Sequence, residues 1–223
     1  MRNALVAVAL IVFVPLIGLA SFLFLAPRPT DTTEARVFEG DARAIDYCNL
    51  RTLDGSGLMA REIPKAYTPQ CGWSEFPMPI LGDCTEPLAE GATDMRGLWL
   101  SYTGVEGHVE RIEQCGDRVV VTSSGIIHDF HADGTLANGS RDIEPPRCIN
   151  TAVSVAFDSD GVLNFSPFGL PVTIVTRRME GDELVWTYPA ISEDVRMRRI
   201  CTLPDGDLAD SDLADSDLAA SRQ

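Results

Sequence analysis

The chain has 223 residues and a formal charge of −15, from 33 acidic against 18 basic residues. No stretch of it is basic, which argues against a nucleic-acid partner, because phosphate binding needs clustered positive charge; the same acidity repels anionic lipid headgroups. Lys65 is the only lysine: coding bias explains an arginine-rich set, whereas bidentate anion recognition would require the arginines to converge.

Residues 1–29 read as a membrane anchor or signal segment. Ala4 to Ala26 is a long, uncharged, mostly apolar run behind Arg2, kinked but not forbidden as a helix by Pro15, and as a helix of about 35 Å it matches a bilayer core of about 30 Å. Gly18-Leu19-Ala20 is a candidate cleavage site for a secretory signal. Length favours an uncleaved transmembrane helix through residues 4–26, with everything after about residue 30 on the extracytoplasmic side. Six cysteines lie downstream: Cys48, Cys71, Cys84, Cys115, Cys148 and Cys201. In an exported chain they read as disulfides of open pairing, and the absence of C-x-x-C argues against a zinc ribbon or a redox motif.

Residues 30–95 begin with a short linker and continue as an irregular, Pro/Gly-rich, disulfide-tied segment, with one short helical turn near "EARVFEGDARAIDYC". Prolines such as those of "CGWSEFPMPILGDCTEP" disfavour long helices and inner strands. Three cysteines precede the domain at 96–203 and three lie within it. If all six pair, an odd number of bridges must join the two parts, so the segment is fastened rather than hanging free.

From Arg96 short apolar runs alternate with turn signals: "RGLWLSYT", "HVERIEQC", "RVVVT", "IIHDF", "TLANGSRDI", "TAVSVAF", "VLNF", "PVTIVTRRM", "ELVWTY" and "VRMRRICTL". Short strands at this spacing predict an all-β antiparallel barrel or sandwich. "VERIEQC" fails to alternate, and a bulge is predicted there. Residues 204–223, with the repeated unit "DSDLA", form an acidic tail whose composition reads as disordered; calcium binding by its aspartates is the lesser reading, since the calcium-loop glycine and glutamate are missing.

Gly97-Leu98-Trp99 on the first strand, a meander of short strands, and Arg198 or Arg199 on the last resemble the calycin superfamily. The resemblance covers residues 96–203 and implies an up-and-down, lipocalin-like barrel of about 8–10 strands. It further implies that Gly97, Trp99 and Arg198 or Arg199 close one end, the tryptophan lying across the floor beneath the guanidinium. Such a contact contributes about 0.5–2 kcal/mol.

No nucleophile elbow, P-loop, zincin or Rossmann pattern is present, so no catalytic residue, metal site or cofactor is predicted. In "HDFH", strand alternation puts His128 and Phe130 on one face and Asp129 and His131 on the other. The last two can orient each other as an acid–base pair; the plainer reading is a hydrogen-bonded surface hairpin. Asn138-Gly139-Ser140 is a formal glycosylation sequon. The first functional expectation is a non-enzymatic barrel binding a small apolar ligand, with Trp99, Phe157, Phe165, Phe168, Trp186 and Tyr188 as candidate lining, residues that core packing explains as well. The second is an interaction module, a filled barrel meeting another envelope protein. An envelope enzyme is the least supported.

Overall fold

A computed structural model describes residues 40–68, 72–73, 75–123, 125–144, 149–189 and 191–205. The expected transmembrane helix at 4–26, the acidic tail beyond 205, Cys71 and Cys148 lie outside the described residues. Among those described, no helix is long and apolar enough to cross a membrane.

Ten antiparallel strands form one meandering sheet. They are β1 (Gly97–Ser101), β2 (Val109–Cys115), β3 (Arg118–Ser123), β4 (Ile126–His131), β5 (Ser140–Glu144), β6 (Ile149–Phe157), β7 (Leu163–Pro167), β8 (Val175–Glu180), β9 (Glu183–Thr187) and β10 (Val195–Ile200). Each strand pairs with its chain neighbour except β4 with β5, and β1 pairs with β10 from Leu98↔Ile200 to Ser101↔Met197. The sheet therefore curls into a nearly closed up-and-down barrel whose seam falls between β4 and β5. The seam is bridged by the His131 amide donating to the Asn138 carbonyl at 2.8 Å and by a 3.0 Å hydrogen bond between Ser140 Oγ and His128 Nδ1.

Alternation sends Trp99, Ile112, Val119, Val121, Phe130, Val155, Leu163, Phe165, Leu184, Trp186, Val195 and Met197 into one buried cluster, the lumen. The outer wall differs from side to side. Over β8–β10 it carries an ion ladder in water, Arg178 with Glu180 and Asp194, and Arg196 with Glu180 and Glu183. Over β1–β4 it is covered by the Pro/Gly-rich segment, which holds 3-10 turns at Ala42–Ala44 and Ala60–Glu62. There Ala60, Ile63, Ala66, Trp73, Ile80 and Leu81 pack on Val120, Ile127 and the buried Cys84–Cys115 bridge. A second patch joins Ala42, Tyr47 and Leu203 to Leu98 and Val109, beside the bridge from Cys48 to Cys201. Both described disulfides thus tie the segment to the barrel.

This jacket explains β2, and it corrects the bulge expected there. The strand is in continuous register with β1 and β3. It fails to alternate because all seven residues are buried: the inner face meets the lumen and the outer face the segment. Buried polar groups on that outer face are matched. Arg111 donates to the carbonyls of Pro77 and Met78 and to Glu113, while Glu113 accepts from the Leu81 amide at 2.8 Å. On β3, Arg118 donates to the carbonyls of Ala60, Ile63 and Pro64 and forms a bidentate pair with Asp129 of β4, at 2.8 and 2.6 Å.

At one end of the barrel Trp99 is fully buried, and the Arg199 guanidinium lies 4.3 Å from its ring centre. The Trp99 indole donates to the Met95 carbonyl at 3.0 Å. Gly97 has φ +147°, and a Cβ there would collide with the Arg199 guanidinium, so the glycine is what lets the cation cross the floor. Arg198, opposite Leu100, is exposed on the outer wall and takes no part. Gly97→Ala is expected to destabilise the protein by about 2 kcal/mol or more. In an Arg199→Ala background the penalty should shrink by about 1 kcal/mol, because the obstructed group is gone. Urea unfolding of the four chains measures both; an unchanged Gly97→Ala penalty in that background would contradict the steric account.

Candidate functional site at the barrel mouth

The end opposite Trp99, where β2, β4, β6, β8 and β10 begin, is chemically different. Glu110 near the start of β2 points into the lumen and is completely buried. Arg177 on β8 meets it in a fork, Nε to Oε1 and Nη2 to Oε2, both 2.8 Å. Burial alone would raise the Glu110 pKa, but the Arg177 charge and its two hydrogen bonds, with His108 Nε2 4.0 Å from Oε2, outweigh it and hold the carboxyl at about 2. The same guanidinium lies 4.9 Å from the Phe165 ring centre and 5.5 Å from that of Trp186. His108 stacks on Trp186 at 5.6 Å, and Tyr188 stacks on it at 6.0 Å. His128, bound to Ser140 across the seam, has its pKa lowered to about 4 by burial and by the nearby Arg177 charge, against the opposing pull of Glu110.

Burial is nearly complete at both ends: Trp99, Leu163, Leu184 and Met197 toward the floor and Glu110, His108 and Val195 toward the mouth are fully buried, Phe165 and Trp186 are each 7 % exposed and Arg177 6 %, and His128, Val175 and Tyr188 are half-buried. Beyond them the loop after β7 carries Phe168 at φ 53°, a left-handed conformation costly for an aromatic residue. Its amide is fixed by the Ala152 carbonyl at 2.8 Å. The next turn leaves Leu170 44 % and Val172 56 % exposed.

The six candidate lining residues therefore separate. Phe165, Trp186 and Tyr188 converge at the mouth and Phe168 sits on its rim. Trp99 is sealed in the floor, and Phe157, paired with Leu163 at the far end of β6, lies away from the mouth. The acid–base pairing of Asp129 with His131 is not formed: Asp129 is taken by Arg118 and the Ala66 amide, and His131 Nδ1 lies 2.8 Å from Asp117. Those two residues are structural, holding the jacket and the β2–β3 turn. Glu110, Arg177 and His108 were not singled out from sequence as a site. Glu110 and Arg177 stand 67 positions apart, and only the charge interrupting an otherwise apolar strand face hinted at either.

A separate cavity of about 280 Å³ lies outside the lumen, between the jacket and β1–β2, with Ile45, Tyr47, Leu53 and Leu81 among its walls. Arg111, Glu113 and Gln114, which also border it, bond to groups already described or to Met95 and Thr93.

Comparison of the chain with protein-family models, with curated proteins and with solved structures found no match.

Stability should register the buried pair. Glu110 is depressed from an ordinary 4.5 to about 2, so its contribution is complete above pH 4.5 and is lost as pH falls toward 2, on the order of 3 kcal/mol. His128 is depressed from 6.5 to about 4; the unfolded chain binds the extra proton in that window, so stability also declines as pH falls from 6.5 to 4. Glu110→Gln is expected to cost about 3 kcal/mol at pH 7, by leaving Arg177 buried without a counter-charge, and to abolish the decline below pH 4.5 attributable to this carboxyl. Urea midpoints from pH 7 to pH 2 test it; a Glu110→Gln profile parallel to wild type would refute the assignment.

Proposed function

We propose that this chain is a calycin-type, non-enzymatic binding protein of the extracytoplasmic space, tethered through residues 4–26, that takes a small, mainly apolar molecule at the mouth of its barrel. The reading is carried by the contrast between the ends: one closed by Trp99 under Arg199, the other gathering the rings of Phe165 and Trp186 and the half-buried Tyr188 around a buried charge pair. Ligands of barrels sit in such mouths. Two cross-linking disulfides and the apolar leader support the compartment. A strained Phe168 on the rim supports a functional rather than purely structural end.

A second reading, docking of an envelope protein on the mouth, draws on the exposed Leu170 and Val172 at the same end.

The neutral fluorophore N-phenyl-1-naphthylamine separates the two. The full-length chain in nanodiscs should bind it saturably above the empty-nanodisc signal. Phe165→Ala should weaken binding about ten-fold, corresponding to one lost ring contact, and Leu170→Ser with Val172→Ser should leave it unchanged. Absence of saturable binding, or loss only in the Leu170/Val172 variant, would remove the mouth-pocket reading in favour of docking.

A further inference from the structure

The three tryptophans treat their indole N–H groups differently. Trp73 donates to the Ile126 carbonyl at 3.0 Å and Trp99 to the Met95 carbonyl at 3.0 Å. Trp186 Nε1 is shielded from solvent and has no hydrogen-bond partner among the described residues. A buried donor left unmade costs about 1–3 kcal/mol, and native interiors rarely keep one without cause. This donor sits on the inward face of β9, opposite Arg177 of β8 in register, in the buried layer of the Glu110–Arg177 pair.

Its surroundings constrain what would satisfy it. The Glu110–Arg177 fork occupies both carboxylate oxygens with Nε and Nη2, so guanidinium Nη1 takes no part in the pair. The buried donor left to satisfy in this layer is the Trp186 indole, and it calls for an acceptor. The charges of the layer cancel: an anion would meet the Glu110 carboxylate and a cation the Arg177 guanidinium, each in a site too dry to screen it. The walls are ring faces, with Tyr188 and His108 stacked on Trp186 and Phe165 under the guanidinium, a setting that favours a flat partner in offset stacking.

We infer that the mouth selects a neutral, planar molecule bearing a carbonyl oxygen, which accepts a hydrogen bond from the Trp186 indole while its ring lies against Phe165 and Tyr188. This rests on the proposed mouth pocket and adds the chemical class. A pocket built around a hydrogen bond discriminates strongly against analogues lacking the acceptor, because the buried donor is then left unpaired.

The test uses the full-length chain, labelled with 15N-indole tryptophan, in detergent micelles. It gives one indole cross-peak per tryptophan, and Trp186→Phe identifies the peak of interest. Benzamide, benzoate and toluene are titrated at matched free concentrations. Benzamide should move the Trp186 indole proton downfield, saturably, leaving the Trp99 peak in place. Toluene should bind about ten-fold more weakly without the downfield shift, and benzoate more weakly still. Equal binding of toluene and benzamide, or tighter binding of benzoate, overturns the ligand class while leaving the mouth pocket standing. No response at Trp186 to any of the three overturns both.

Discussion

Two arginines hold this protein together. Arg111 and Arg118, on the outer wall of β2 and β3, take the carbonyls of Pro77, Met78, Ala60, Ile63 and Pro64. These belong to an irregular, proline-rich stretch that has no sheet ladder of its own to satisfy them. Backbone carbonyls removed from water must be paired, and here a side chain with five donors in a flat fork does what a neighbouring strand would otherwise do. Each arginine is neutralised by a buried carboxylate that in turn accepts a segment amide: Glu113 from Leu81, Asp129 from Ala66. The jacket can then press Ile63, Ile80, Leu81 and Trp73 onto Val120 and Ile127, and both described disulfides fasten a contact that polar and apolar groups already specify.

The same residue chemistry serves a different end inside the barrel. Glu110 and Arg177 form a third buried arginine–carboxylate pair, but no segment is anchored by it. An apolar replacement of similar volume would often be as stable; the pair instead sets the charge balance of its end of the lumen, beside a Trp186 indole N–H that has no acceptor among the described residues. The floor gives the contrast: Trp99 has its acceptor, its cation and a glycine that makes room for the cation.

Much of the architecture was readable from residues alone. The ten strand segments follow from turn signals and β-branched runs, and alternation in "HDFH" gives the faces on which His128 and Asp129 lie. Gly97, Trp99 and one of Arg198 and Arg199 can be picked out as a set, the choice between the two arginines falling to the register of β10 with β1. What could not be read is what depends on distant partners. Asp129 looked like a possible partner for His131 because the two are close in sequence; Arg118, eleven positions earlier, is its real one. β2 looked irregular because alternation presumes one wet face, and this strand has none. Arg177 looked like one basic residue in "TRRM"; that it faces inward while Arg178 faces the outer ion ladder follows only from the register of β8 with β9.

Native-state amide hydrogen exchange tests most directly whether the segment and barrel are one structure clamped by Arg111 and Arg118. The Ala66 and Leu81 amides, which donate to Asp129 and Glu113, should exchange only with global unfolding, as slowly as the amides of β2 and β3. Exchange of these two amides through a local opening, far faster than that of Val120 or Ile112, would show the jacket to be a loosely held appendage and would contradict the account.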